Sequence, residues 1–309
     1  MINNINKEDF ERCFGEELTS FLKEKIKNFD LSYRELSKQE SNDVVLKILS
    51  YLYKDTDAII QAGQHRLDDW ESGWQENAEE FLKYKEFNFL IPKYFGKYPY
   101  IRWNKEIIKP CNKNMEYNLV SILQYWIFEK FLKDCSNIYE FGCGTGHNLL
   151  RVKEVNPEAQ AFGLDWSSSS QQSIANINKV FNTNFKYDKF DFFNLNSEFY
   201  LEKNSGVYTF AALEQVGDKY KSFIDFLLKN NPKICFHIEP IGEYLDDENL
   251  YDFLSKKYFE KRNYLANFKN YMYNLQEQKK INIIFEKESF IGSMFINGYS
   301  IIAWEKNYA

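Results

Sequence analysis

Glu140, Gly142, Gly144 and Gly146 stand at alternate positions in Tyr139-Glu140-Phe141-Gly142-Cys143-Gly144-Thr145-Gly146, and Asp165 follows in Leu164-Asp165-Trp166. Glycines at this spacing strip the Cβ atoms from a tight turn, so backbone amides at the start of the next helix can approach a ligand closely. A carboxylate delivered by the following strand can accept hydrogen bonds from both hydroxyls of a ribose. The two features together point to a nucleoside. The frame is legible around them: Asn137 to Phe141 reads as a short strand, His147 to Val155 as a helix and Ala159 to Leu164 as a second strand. A dinucleotide fingerprint wants glycine at the first, third and sixth positions of the turn, and the sixth here is His147, which disfavours that ligand. A glycine turn with no ligand is the competing reading.

The pattern acidic-x-Gly-x-Gly-x-Gly resembles the first motif of class I S-adenosylmethionine-dependent methyltransferases, and the resemblance runs from about Met115 to Trp304. It implies S-adenosylmethionine as cofactor, with Glu140 near the methionine amino group and Phe141 beside it. Gly142, Gly144 and Gly146 would lie beneath methionine and ribose, His147 against the cofactor carboxylate and Asp165 on the ribose hydroxyls. Trp166 and Phe192 would pack on adenine, with Asp191 meeting its amino group; a helix cap after the third strand is the alternative for Asp191. Methyl transfer from a sulfonium is a displacement, so alignment matters most and a base is needed where the nucleophile arrives protonated.

The fourth strand ends in Ala212-Leu213-Glu214-Gln215-Val216, which resembles a Leu-Glu-His segment of small-molecule members of the family. Gln215 replaces the histidine; an amide is no base, but it can hydrogen-bond an acceptor. The fifth strand ends in His237-Ile238-Glu239-Pro240, putting His237 and Glu239 on one face. Glu239, then His237, then Glu214 are the candidate bases, against a core histidine and a locally paired glutamate. With Asp246 or Asp247 they lack recognisable metal-ligand spacing, so no metal is expected.

The order of elements predicts an α/β fold: a doubly wound, mostly parallel seven-stranded sheet with helices on both faces. Strands are expected near 138–141, 159–164, 185–192, 206–212 and 233–238, then at Ile281 to Glu286 and within Phe295 to Trp304. Tyr299 to Trp304 is the candidate for the antiparallel seventh strand that the resemblance implies. A helix is expected over about Glu116 to Lys133. Residues 115–309 would form the cofactor-binding domain, with a helical insertion at about 246–280. Residues 1–114 would form a mainly helical accessory region, with two amphipathic helices in 7–55 separated near Asp30. Within it His65, Arg66, Trp70 and Trp74 are candidates for the acceptor pocket, Arg66 suiting a phosphate or carboxylate. The plain alternative makes the tryptophans core and the charges solvated.

The chain has 309 residues, 39 Lys and Arg against 45 Asp and Glu, and a net charge of −6. That balance disfavours general nucleic-acid binding. Five cysteines without paired spacing read as reduced thiols, and no signal peptide or spanning segment is evident, so a cytoplasmic location is expected. The expected activity is O- or N-methylation of a small molecule, with a sugar or nucleotide-linked intermediate of surface-glycan synthesis preferred. The rivals are a protein or RNA methyltransferase and a non-catalytic S-adenosylmethionine-binding scaffold, the latter favoured by Gln215. Nothing in the sequence speaks to oligomeric state.

Overall fold

A computed structural model describes residues 1–54 and 58–307. The N-terminal elements are β1 (Asn3–Asn4), α1 (Lys7–Phe14), α2 (Ser20–Lys27), β2 (Ser32–Glu35), α3 (Lys38–Tyr53), α4 (Leu67–Tyr84), β3 (Ile101–Trp103) and β4 (Glu106–Pro110). There follow α5 (Met115–Phe131), β5 (Asn137–Phe141), α6 (His147–Val155), β6 (Gln160–Asp165), α7 (Ser168–Phe181), β7 (Lys186–Lys189) and β8 (Ser205–Phe210). The chain continues through α8 (Tyr220–Asn230), β9 (Ile234–Glu239), α9 (Leu250–Arg262), α10 (Phe268–Glu277), β10 (Ile281–Lys287), β11 (Ile291–Ser293) and β12 (Ser300–Lys306).

The large sheet has seven strands in the order β10-β12-β9-β8-β5-β6-β7. β12 runs antiparallel to both of its neighbours, while β9, β8, β5, β6 and β7 pair in parallel. The central strands β8 and β9 are buried at every position, as strands covered on both faces must be. β7 at the far edge carries Lys186 and Lys189 on exposed positions, charges that discourage further strand addition. Strand order reverses between β5 and its neighbours β6 and β8, and an open parallel sheet forms its ligand crevice at such a point.

Alternation along β5 decides what reaches that crevice. Ile138 joins the core cluster under α5, whereas Tyr139 and Phe141 join the aromatic cluster containing Phe190, Phe223 and Phe226. Phe141 is wholly buried there, which corrects its expected place beside the cofactor.

The N-terminal region holds helices, as expected, and also strands. β1, β2, β4 and β3 form a small sheet that is completed by β11 from the C-terminal half. Two helices were expected before residue 55 and three are present, because Gly15 at φ 76° ends α1 in the left-handed region and Thr19 caps α2 afresh. The stretch expected as one helical insertion is two helices, separated between Asn263 and Asn267, both left-handed at φ 54° and 58°. The third strand stops at Lys189 rather than 192, because the Asp191 carboxylate accepts the Phe193 amide at 2.8 Å and turns the chain.

α4 crosses above the crevice and is fastened to α7 through Glu71. Its carboxylate accepts the Ser168 amide at 2.7 Å and the Ser169 amide at 2.9 Å, so a residue of one helix caps another. Glu71→Ala should lower stability by about 1 kcal/mol, in the range of a lost helix cap. It should also raise amide hydrogen exchange across Leu67–Tyr84. Unchanged exchange there would show that α4 is held by packing alone.

Candidate functional site

A cavity of about 350 Å³ opens where β5, β6 and β8 end, beneath α4. Its floor is the turn Gly142-Cys143-Gly144-Thr145, and its flank includes Asp165, Trp166, Phe192 and Phe193. Gly142 has φ 76°, and a Cβ there would stand 2.4 Å from the Ala212 Cβ. Gly144 has φ 53°, and its missing Cβ leaves room for the Trp74 ring, which would lie 3.0 Å away. A side chain at either position would both strain the backbone and close the space. Ala211 and Tyr299, on the opposite wall, hold φ of 47° and 74°, left-handed values that non-glycine residues keep where the surroundings enforce them.

Asp165 ties the two strand ends together. Its Oδ2 accepts the Gly144 amide at 2.9 Å and its Oδ1 the Ser167 amide at 3.0 Å. Burial raises its pKa against the pull of these amides. The carboxylate retains acceptor capacity on each oxygen, the geometry wanted for two neighbouring hydroxyls. Glu140 is buried in the same wall, accepting Asn148 Nδ2 at 2.7 Å and the Tyr208 hydroxyl at 3.0 Å, and burial pushes it up to about 8.

His147 also lines the cavity. Thr145 Oγ1 donates to the Leu90 carbonyl at 2.7 Å, so it must accept from His147 Nδ1 at 2.8 Å. That assigns the proton to Nδ1 and leaves Nε2 as an acceptor. Burial lowers the His147 pKa well below its usual value and keeps the ring neutral.

The candidate bases separate by geometry. His237 is fully buried and lies between Thr209 Oγ1 at 3.0 Å and the Trp304 indole, which donates to Nε2 at 3.1 Å. Glu239 is fully buried too and accepts three amides, from Ala212 and Leu213 at 3.1 Å and from Glu214 at 3.3 Å. It thereby caps the 3-10 turn Leu213–Val216. Neither side chain lines the cavity, which corrects the sequence preference for Glu239 and His237 as proton acceptors. Period-two alternation put both on one face, but that face is packed under α10 and β12. Glu214 does line the cavity. Gln215 Nε2 donates to its Oε1 at 2.7 Å, while its Oε2 and the Gln215 Oε1 are buried without a partner. Burial and the nearby Glu239 push Glu214 up to about 8.

Around the nucleoside end, Trp166 lies against Phe193 with ring centroids 5.7 Å apart, and Phe192 lines the same wall. Asp191 does not line it; its carboxylate holds the turn through the Phe193 amide and Asn194 Nδ2, each at 2.8 Å. No helix follows, so Asp191 holds a turn and not the helix cap that was the alternative. On α4, Trp70 and Trp74 stack 5.2 Å apart and both line the cavity. Arg66 lines it as well, paired with Asp69 at 2.5 Å, and its Nη1 and the Trp70 Nε1 are buried donors without partners. His65 is exposed and outside the cavity, because the 3-10 turn Gln64–Arg66 points it away.

Sequence reasoning missed the far wall: Tyr94, Tyr98, Glu116, Arg262, Tyr264 and Tyr299. Glu116 opens α5 among apolar residues, and a charge inside so apolar a helix was the available signal. Burial raises it to about 7, offset in part by the Gly96 amide at 3.4 Å. Among the described residues no group of three or more His, Cys, Asp or Glu is arranged to hold a metal, and no helix is long and apolar enough to cross a membrane.

No family model matches the chain, and no curated protein matches it. Solved structures do. A plantazolicin methyltransferase in complex with SAH is 14% identical at a TM-score of 0.43, covering 79% of this chain and 98% of its own. The magnesium protoporphyrin IX methyltransferase of Synechocystis PCC 6803 with bound SAM is 11% identical at 0.43, covering 62% and 79%. From its own hydrogen bonding, with the reversed β12 beside β9 and the glycine turn after β5, this chain has the fold of the class I S-adenosylmethionine-dependent methyltransferases.

Proposed function

We propose that the protein transfers the methyl group of S-adenosylmethionine to a small molecule held in the same cavity. The observation that carries this reading is the convergence of Asp165 and the Gly142–Thr145 backbone on a cavity that continues past them to Glu214 and the tyrosine wall. One end suits a nucleoside, with Trp166 and Phe192 offering apolar faces to adenine and Asp165 facing the ribose. The unpartnered Arg66 Nη1 and Trp70 Nε1 suit the methionine carboxylate, and Glu140 its amino group. The sulfonium then points toward the far wall, where an acceptor would wait. α4 above the glycines shields the reaction from water. The net charge of −6 favours a small acceptor over RNA. A sugar or nucleotide-linked acceptor draws support from the aromatic wall but not from the carboxylates there. A scaffold without catalysis is the second reading, since Gln215 supplies no base; the nearby Glu214 speaks against it.

Asp165→Ala should weaken S-adenosylhomocysteine binding by about 1 to 3 kcal/mol, the scale of hydrogen bonds lost from a charged group. Calorimetry on folded variant protein reads this, and unchanged affinity would remove the ribose assignment.

The raised carboxylates also set a pH dependence. Glu214 keeps its proton in the folded protein up to about 8, whereas an unfolded chain loses it near the ordinary value of 4.5. Unfolding therefore releases a proton between those values, and stability falls as pH rises through that window, by roughly 1.4 kcal/mol per pH unit for each such group. Glu116 and Glu140 act in the same direction. Glu214→Gln should flatten the slope by up to one proton in denaturant titrations stepped from pH 5 to 8. An identical slope would mean that Glu214 ionises normally in the fold.

A further inference from the structure

The acceptor end of the cavity gathers two buried carboxyl groups and acceptor oxygens that no hydrogen bond of the chain satisfies. Glu214 is 7% exposed, with Oε2 buried and without a donor, and the Gln215 Oε1 beside it is likewise buried and unpartnered. The Tyr264 hydroxyl is near enough to Glu214 to favour its ionised form, yet outside hydrogen-bond geometry. Glu116, 3% exposed, receives one long hydrogen bond, from Gly96 N at 3.4 Å. The cations that line the cavity are only partly committed: Arg66 pairs with Asp69, and Arg262 bonds the Ile60 carbonyl and Tyr264, while Arg66 Nη1 and Arg262 Nε are buried without partners and Lys97 is exposed at the mouth. Tyr94 and Tyr299 line the same cavity, and both Glu116 and Glu214 oppose their ionisation. Two acceptor oxygens without donors, a second buried carboxylate and several phenol faces describe a ligand that brings N–H donors and positive charge. A neutral alcohol brings a single donor for these oxygens, and an anion brings none.

We infer that the acceptor is a protonated amine, held between Glu116 and Glu214 against the tyrosine faces, with Gln215 Oε1 taking a further N–H. This rests on the methyltransferase reading and narrows it to N-methylation. Bound beside a cation, Glu214 gives up to solvent the proton it holds in the empty cavity; as a carboxylate it then takes one proton from the ammonium and so frees the nitrogen lone pair. The nitrogen–carbon bond forms as the carbon–sulfur bond breaks, the electron pair of that bond stays on sulfur as a neutral thioether, and the positive charge passes to the methylated nitrogen. Glu214 thus serves as proton acceptor for a nitrogen, a role the Gln215 amide cannot fill. Phenol faces stabilise the cation before and after transfer.

The test uses the full chain saturated with S-adenosylhomocysteine at pH 7, screened by ligand-observed NMR against a matched library in which each small primary amine has its alcohol and carboxylate counterpart. The expected result is that amines bind at least about 10-fold tighter than their counterparts, and that Glu116→Gln and Glu214→Gln each erase most of that preference while keeping S-adenosylhomocysteine affinity, which also shows that the variants fold. Equal or better binding of alcohols or carboxylates, no amine bound at all, or a preference untouched by both substitutions would overturn the inference and leave the cofactor reading standing. Absence of S-adenosylhomocysteine binding in the wild-type protein would instead overturn the methyltransferase reading, and this inference with it.

Discussion

The close approach of Ala212 and Trp74 to the glycine turn after β5 is the constraint on which the site depends. Gly142 lets the turn pass Ala212 at a distance no Cβ could share, and Gly144 lets α4 lay Trp74 over the turn. The amides of the turn are held by the end of β6: Gly142 N–H donates to the Leu164 carbonyl at 2.7 Å and Gly144 N–H to Asp165 at 2.9 Å. One carboxylate therefore registers the end of β6 against the turn after β5. Everything that faces the cavity from those two strands takes its position from that contact.

Charge is the second organising feature. Glu116, Glu140, Asp165 and Glu214 are all buried around one cavity, and burial raises every one of them. A fold that buries four carboxyl groups around one cavity holds them at a cost, which a cationic ligand offsets. The sulfonium accounts for part of that charge and an amine for more. The strained Ala211 and Tyr299 line the same cavity, so distortions of the chain gather where the ligands would sit.

Local spacing made the nucleoside end legible. The strand Asn137–Phe141 and the helix His147–Val155 have the bounds read from the sequence, because apolar alternation, glycines and helix start all fall within a dozen residues. The reversed strand near Tyr299 to Trp304 was likewise readable, its start set one residue later by the left-handed Tyr299. The far wall was not legible. Tyr94, Glu116, Arg262 and Tyr299 come from segments distant in sequence, and no period links them. His237 and Glu239 show the limit of alternation: it put them on one face, but only packing by Phe268 and Trp304 decides that the histidine's face is core. The Glu116 carboxyl had a local signal, a charge in a helix buried nearly all round, that pointed to an interior site without saying which.

The position of a bound nucleoside tests the site most directly. A crystal structure of the protein grown with S-adenosylhomocysteine should show both ribose hydroxyls within hydrogen-bond distance of Asp165, adenine between Trp166 and Phe192, and the sulfur turned toward Glu214. A nucleoside bound elsewhere, or one whose ribose does not touch Asp165, would contradict this reading of the site.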